Sequence, residues 1–266
     1  MRALLLVWSL APLLWQLYSS LLTPEALVDP QSLASGGFWT LENYRQLLQA
    51  DPPFWRHLLN SALVGATSTA LTLALAVPAA YGLQRLSGGL RRTAWASLLV
   101  AAIMPTVLLF LPLLQLARAL GLGNQLLALS LPYSALNLPL AVLLLRAAIA
   151  DLPPELEDAA RLEGMNLVAR LRHVLLPLLA PALGSTAILV FLFSWNEYPV
   201  ALTWLSRPDL LTLTPAIARI AGSSVFSVPY GAFAAATVLG SLPLLLLVLL
   251  FQRAIVSGLT QGAVKG

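Results

Sequence analysis

Residues 153–164 read Pro153-Pro154-Glu155-Leu156-Glu157-Asp158-Ala159-Ala160-Arg161-Leu162-Glu163-Gly164, and Leu175-Leu176-Pro177 follows, its proline thirteen residues after the glycine. This charged island interrupts an otherwise apolar chain. Pro153 and Pro154 suit the first turn of a helix, where a missing N–H is harmless, and Asp151 just upstream is placed to act as N-cap. Glu155, Glu157 and Asp158 fall in the first turns, where acidic groups complement the helix dipole, and Glu157 sits four residues before Arg161. Gly164 supplies a left-handed stop, Asn166 can cap a second helix carrying Arg170 and Arg172, and Pro177 marks the turn back towards the membrane. The paired alanines leave a face that another protein can approach closely. The plain alternative is a solvated helix-turn-helix loop.

Working outward from the island, the composition is that of a membrane protein. Of 266 residues 10% are charged and 59% hydrophobic, and mean hydropathy is +0.83, whereas a soluble domain is about 25% charged. Charge-free stretches at 3–24, 58–84, 93–117, 119–145, 174–196 and 220–252 can each supply the roughly 20 residues that cross a bilayer as a helix. Six spans are predicted, near 3–22, 60–84, 95–117, 126–146, 179–200 and 230–252. The first also resembles a signal peptide, but its length and the lack of a small-x-small cleavage site favour a retained anchor. The expected division is an anchor helix at 1–22, an extracytoplasmic loop at 23–59, a core at 60–256 with a cytoplasmic loop at 147–178, and a cytoplasmic tail at 257–266. Within the outer loop, Leu41, Tyr44, Leu47 and Leu48 recur at helical spacing after a possible Thr40 cap.

Orientation follows from the basic residues. With both termini inside, the cytoplasmic set holds ten (Arg2, Arg85, Arg91, Arg92, Arg146, Arg161, Arg170, Arg172, Arg253, Lys265) and the opposite side five (Arg45, Arg56, Arg118, Arg207, Arg219), which together are the 15 Lys and Arg of the chain. The positive-inside rule then puts the island in the cytoplasm. Basic loops beside a membrane also account for the net charge of +4, and there is no basic stripe interleaved with aromatics to suggest nucleic acid.

Several chemistries are excluded or unsupported. Cysteine is absent, so there is neither a disulfide framework nor a thiol nucleophile. His57 and His173 are expected on opposite sides and cannot share a metal. Lys265 precedes Gly266 rather than Ser or Thr, so no phosphate-cradling loop exists and any ATP hydrolysis belongs to another chain. No catalytic residue and no metal ligand is assigned.

Inside the spans, Pro78, Pro105, Pro112, Pro132, Pro139 and Pro243 interrupt helices at membrane depth, which neighbouring helices or a water-lined cavity can compensate; proline is also simply commoner in membrane helices. Gly65, Ala66, Thr67, Ser68 and Ala70 make a small-residue face suited to close packing. Asn137 in the fourth span, and Trp195, Asn196, Glu197 and Tyr198 about 21 Å along the fifth, are the polar groups nearest the membrane interior. Amides and a carboxylate beside aromatic faces suit a neutral polyhydroxylated ligand, and they suit helix-to-helix hydrogen bonding equally well.

The island, Asn60-Ser61, Val77-Pro78-Ala79-Ala80-Tyr81, Trp195-Asn196-Glu197-Tyr198 and the tail Gly258-Leu259-Thr260-Gln261-Gly262-Ala263-Val264-Lys265-Gly266 resemble the maltose-type carbohydrate permeases among the ATP-binding-cassette (ABC) importers, in particular their six-helix second permease subunit. The resemblance implies an all-α membrane protein with the type I ABC-importer permease fold in a bacterial or archaeal cytoplasmic membrane. It implies a transport subunit rather than an enzyme, working by alternating access beside a different permease, an ATPase dimer and an extracytoplasmic solute-binding protein. ATP and magnesium would sit on the ATPase, with no cofactor on this chain. It further implies that Glu157, Asp158, Ala159, Ala160, Gly164 and Pro177 couple to the ATPase, with Glu157 pairing a basic ATPase residue. The tail residues Gly262, Ala263, Val264, Lys265 and Gly266 would reach the ATPase dimer, and Asn137, Trp195, Asn196 and Glu197 would lie on the solute path. Asp158, where the pattern more often has glutamate or alanine, is a conservative departure; Met165, in place of a small residue, bears on the fit.

Two other classes are weighed against this. A secondary transporter or channel without an ATPase would commonly need an ionisable side chain in mid-span, and none is found. An intramembrane enzyme would need a nucleophile constellation, which is also missing.

Overall fold

In a bilayer, backbone N–H and C=O groups find no water and must bond within their own segment, so charge-free runs of Leu, Ala and Val become helices. The computed structural model describes residues 2–28, 38–222 and 229–260, and among these there is no strand. The helices are α1 (Arg2–Ser20), α2 (Pro24–Val28), α3 (Glu42–Gln49), α4 (Phe54–Arg85), α5 (Gly88–Ile103), α6 (Thr106–Ala119), α7 (Ser130–Ala150) and α8 (Pro154–Leu162). They continue with α9 (Leu167–Leu178, opened by a π turn at Leu171–Leu175), α10 (Ala180–Asn196), α11 (Pro199–Trp204), α12 (Leu213–Ala221) and α13 (Tyr230–Thr260). The tail residues Gly262, Ala263, Val264, Lys265 and Gly266 lie outside the described residues.

Among the described residues, three helices are long and apolar enough to cross a membrane, namely Phe54–Arg85, Leu127–Ala150 and Tyr230–Gln252, or up to five if each of two bent pairs is one span. The first expected span is helix α1, laid against α13 and outside that count. The predicted boundaries shift at several places. The second span begins at Phe54 rather than 60, shortening the outer loop, and the last helix continues to Thr260, past the core limit set at 256. Thr40 assists α3 by accepting the Glu42 N–H at 3.0 Å, while Leu41 occupies the cap position.

The predicted span 95–117 is two helices meeting at 95°. Pro105 explains the break, because it donates no N–H and pushes Met104 to an extended conformation (φ −65°, ψ 125°). The other prolines do less: Pro78, Pro112, Pro139 and Pro243 lie within continuous helices, and Pro132 falls in the first turn of α7. A second bend of 79° separates Leu167–Leu178 from Ala180–Asn196. The fifth span ends at Asn196, since Glu197 is extended (ψ 133°).

Helix α4 is the axis of the bundle, packed against α7 and α10. Its 32 residues span roughly 46 Å at 1.5 Å per residue. The buried face runs Ser61, Gly65, Ser68, Thr72, Ala76, Ala80 at steps of three and four. Only Gly65 and Ser68 of the expected small-residue face belong to it; Ala66 and Ala70 are exposed. Along this face hydroxyls bridge the helices: Ser194 donates to Ser68 at 3.1 Å, Thr72 to Ser134 at 3.3 Å, and the Asn137 amide approaches Ser194 at 3.5 Å. Interhelical bonds of this kind in membranes average about 0.6 kcal/mol each.

At the Phe54 end, polar side chains hold the segment before α12. His57 Nδ1 lies 2.9 Å from the Leu211 carbonyl, Asn60 donates to the Asp209 and Leu211 carbonyls at 3.1 and 3.0 Å, and Ser61 accepts the Leu213 N–H at 2.7 Å. Asn60 and Ser61 thus hold this backbone in place. His173, at the opposite end of the bundle, lies 3.1 Å from the Ala169 carbonyl.

Surface helix α3 is seated by Asn43, buried and donating to the Ser20 and Leu22 carbonyls at 2.9 Å each. Behind it, a Cβ on Gly231 would come within 2.6 Å of the Asn43 amide. Gly231→Ala is therefore expected to destabilise the detergent-solubilised protein by about 1–3 kcal/mol through overpacking, read as a lowered Tm. Gly82→Ala, with nothing within 4 Å of the added methyl, should leave Tm unchanged or slightly raised by helix propensity.

Candidate functional site

The charged island folds as its local signals dictate, with one exception. Pro153, extended (φ −59°, ψ 127°), caps α8, and Pro154 opens it. The N-cap position of α8 is thus Pro153 rather than Asp151, which closes α7 (φ −85°, ψ −11°). The end of α8 is a double-bonded left-handed stop: Gly164 has φ +79°, its N–H donates to the Arg161 carbonyl, and the Met165 N–H donates to Ala160, both at 3.0 Å. Asn166 then starts α9, its Oδ1 accepting the Ala169 N–H at 2.9 Å. Pro177 lies in the last turn before the bend towards α10.

Helical geometry splits α8 into two faces. Glu157 and Ala160, three apart, turn inward; the Glu157 side chain is 16% exposed and Ala160 4%. Asp158, Ala159 and Leu162 turn outward, with Leu162 90% exposed. The paired alanines therefore do not share a face, because neighbours on a helix point about 100° apart.

Glu157 is occupied by its own chain. Tyr81 donates its hydroxyl to Oε1 at 2.7 Å, Arg170 and Arg161 reach the same oxygen at 3.0 and 3.2 Å, and Arg85 bonds Oε2. The Arg85 guanidinium also lies 3.7 Å from the centroid of the Tyr81 ring. Burial pushes the carboxyl pKa up, but the Arg85 and Tyr81 hydrogen bonds and the charges of Arg85 and Arg161 outweigh it and hold Glu157 below the ordinary range. Within its own chain, then, Glu157 pairs inward. Sequence reasoning missed Arg85, Tyr81 and Arg170 as partners, although Tyr81 and Arg85 are four apart and share a helix face.

A second polar locus is a cavity of about 370 Å³ lined by Tyr133, Asn137, Ser194, Asn196, Glu197 and Tyr198 among others. Three of the four sequence candidates, Asn137, Asn196 and Glu197, meet there. Trp195 does not: it is 3% exposed and packs against Phe191, ring centroids 5.6 Å apart, in the core with Phe54 and Leu47. Glu197 is braced by the Val200 and Ala201 N–H groups at 2.9 and 3.0 Å and by the Tyr133 hydroxyl at 2.7 Å, and so caps α11. The Asn137 and Asn196 amides donate to the Tyr133 and Leu192 carbonyls one turn back, both at 2.8 Å. Tyr133 and Ser194 were not anticipated; Tyr133 precedes Asn137 by one helical turn.

Residues 72–261 match the family described as "Binding-protein-dependent transport system inner membrane component". The chain is 38% identical to the Trehalose transport system permease protein SugB of Mycobacterium tuberculosis, over 97% of this chain and 93% of that protein. It is also 38% identical to the Sulfoquinovosyl glycerol transport system permease protein SmoH of Agrobacterium fabrum, over 99% and 92%. Among solved structures, its fold matches a chain of a bacterial ABC transporter involved in the import of the acidic polysaccharide alginate, with TM-score 0.78 at 19% identity, covering 95% of this chain and 92% of that one. A second match is the inward-facing MetNI methionine ABC transporter, with TM-score 0.61 at 18% identity, covering 79% and 99%.

The depressed Glu157 pKa carries a signed pH dependence. A carboxyl whose folded pKa lies below its unfolded value stabilises the fold above the unfolded value and loses that contribution as pH falls through the folded one. Amide-exchange protection of residues 154–162 should stay flat from neutral pH down to the ordinary glutamate value of 4.5 and fall only below it. In Glu157→Gln the protection should be lower than wild type above that value and show no such fall, so that the two converge in acid.

Proposed function

The chain belongs to the family of binding-protein-dependent transport system inner membrane components, and from that premise we propose that it is the permease subunit of an ATP-driven importer for a sugar or related polyhydroxylated solute. Its fold is that of the type I ABC-importer permeases, and such a subunit is a transport component, not an enzyme. The sugar assignment draws on relatives named for trehalose and sulfoquinovosyl glycerol. The observation that carries the coupling assignment is α8, a short helix held at one end of the bundle with a bare outward face of Asp158, Ala159 and Leu162.

In this reading α8 enters a cleft on a separate ATPase subunit. Asp158 and Ala159 make the outward contact, Glu157 and Ala160 seat the helix, and Gly164 and Pro177 set the turns on either side of α9. The tail Gly262–Gly266 reaches the same ATPase dimer, a different permease completes the pore, and a solute-binding protein delivers from outside. Both termini lie in the cytoplasm, and six spans cross the membrane. Asn137, Asn196 and Glu197 line the solute path, where amide groups can exchange hydrogen bonds with hydroxyls. ATP drives transport only if it binds one arrangement of the assembly better than the other.

The deciding experiment is co-purification. Leu162→Asp alters a side chain that touches little of its own chain, so it should leave membrane abundance unchanged while reducing recovery of the ATPase and abolishing uptake. Undiminished recovery and uptake would move the docking surface elsewhere. Gly164→Val forces a β-branched residue into φ +79°, at a cost of about 1–2 kcal/mol, and should lower solute-stimulated ATP hydrolysis at equal abundance. Single cysteines at Ser87 and Ser206 should label from opposite sides of the membrane, a clean test in a chain without native cysteine.

A further inference from the structure

We propose that Arg85, with Tyr81 and Arg170, is a positioning residue that clamps α8 to the end of α4 through Glu157, so that α4 and α8 move as one body when the ATPase closes. The inference rests on the coupling role proposed for α8. Chain connectivity alone does not provide this link. Helix α8 is joined covalently to α7 through 151–153 and to α10 through α9, whereas Arg85 and Glu157 are 72 residues apart in sequence. The carboxylate is therefore a direct tie between the coupling helix and the axis of the bundle.

Three observations make the tie specific. First, the ion pairs across elements are partly sheltered: the side chains of Glu157 and Arg170 are 16% and 13% exposed, while Arg85 is the open end at 33%. By contrast, Arg161 is 52% exposed, lies on the same helix as Glu157 and also approaches Asp158 at 3.6 Å; it supports α8 internally. Second, Tyr81 acts twice, donating its hydroxyl to Glu157 and setting its ring under the Arg85 guanidinium at 3.7 Å, which fixes the direction of Arg85. Third, α4 carries the hydroxyl seam shared with α7 and α10, so a displacement delivered at Arg85 reaches the helices that line the cavity.

Losing one partner of a sheltered charge network strands the others, so the pairs should behave as one unit rather than as separate contributions. The test uses the whole assembly in proteoliposomes: this permease with its partner permease, ATPase and binding protein. Arg85→Gln is expected to leave ATPase recovery and basal ATP hydrolysis near wild type while cutting uptake about tenfold. Arg85→Lys should recover part of the loss, since it keeps the charge but not the planar fork. The double variant Arg85→Gln/Glu157→Gln should transport no worse than Glu157→Gln alone. Because the chain has no cysteine, Arg85→Cys/Glu157→Cys can then be joined with a short bifunctional thiol reagent. Uptake should be low before linking and rise several-fold after it.

Normal uptake in Arg85→Gln, additive losses in the double variant, or no recovery on linking would each overturn the clamp. Failure of the wild-type chain to bring down any ATPase would instead overturn the importer reading. The clamp itself would still be scored, by whether Arg85→Gln lowers amide-exchange protection of α8 as much as Glu157→Gln does.

Discussion

A carboxylate that exchanges water for four donors from its own chain is held in position from several directions, and in this protein that carboxylate is Glu157. Its donors come from α4, from α8 itself and from α9, so one side chain fixes where the short helix lies, which face it shows and how it is turned. The pairing is affordable because the site is sheltered without being dry: burial opposes ionisation there, and the arginines outweigh it. A fully exposed pair would contribute at most about 1 kcal/mol, and a fully buried one would be dominated by desolvation. With Glu157 and Ala160 on the inner side, Asp158, Ala159 and Leu162 are left on the exposed side of α8.

The rest of the bundle shows the same division between sheltered polar ties and apolar filling. At the Phe54 end of α4, His57, Asn60 and Ser61 hold the backbone of 209–213; at the Arg85 end, Tyr81 and Arg85 hold α8. Between these ends the face of α4 is built from Gly65, Ser68, Thr72, Ala76 and Ala80. Small residues allow backbones to approach, and hydroxyls add bonds without bulk. Helix α4 is thus tied at both ends by polar side chains and packed closely between them.

What could be read from the sequence was what is local. Charge-free runs marked the helices because backbone satisfaction in lipid leaves few alternatives, and Gly164 and Asn166 were legible as a stop and a cap because those bonds reach only a few residues. Asp151 was misread because two prolines follow it and either turn residue fits the cap position; the backbone at Pro153 settled the choice. The prolines differed for a reason no local pattern carries: Pro105 breaks its helix by 95° while Pro78 sits inside a continuous one. The direction of Glu157 was equally hidden. Its donors Tyr81 and Arg85 lie more than 70 residues away, and no local pattern shows that the other end of α4 comes beside it.

The cavity lies on the same structural seam. Asn137 stands in its wall and also approaches Ser194 at 3.5 Å, while Ser194 bonds Ser68 on α4. Glu197 in the same wall caps α11 and accepts from Tyr133 on α7. Its carboxylate is therefore less free to bind a solute than the sequence suggested, and the amides of Asn137 and Asn196 are the more available groups. A hydroxylated molecule that draws the Asn137 amide towards itself weakens a contact between α7 and α10, so occupancy of the cavity and the packing of those two helices become linked through one side chain. On the importer reading, that linkage gives a loaded and an empty pore different preferences between the two arrangements, as a solute must do if its presence is to be felt at the other end of α4.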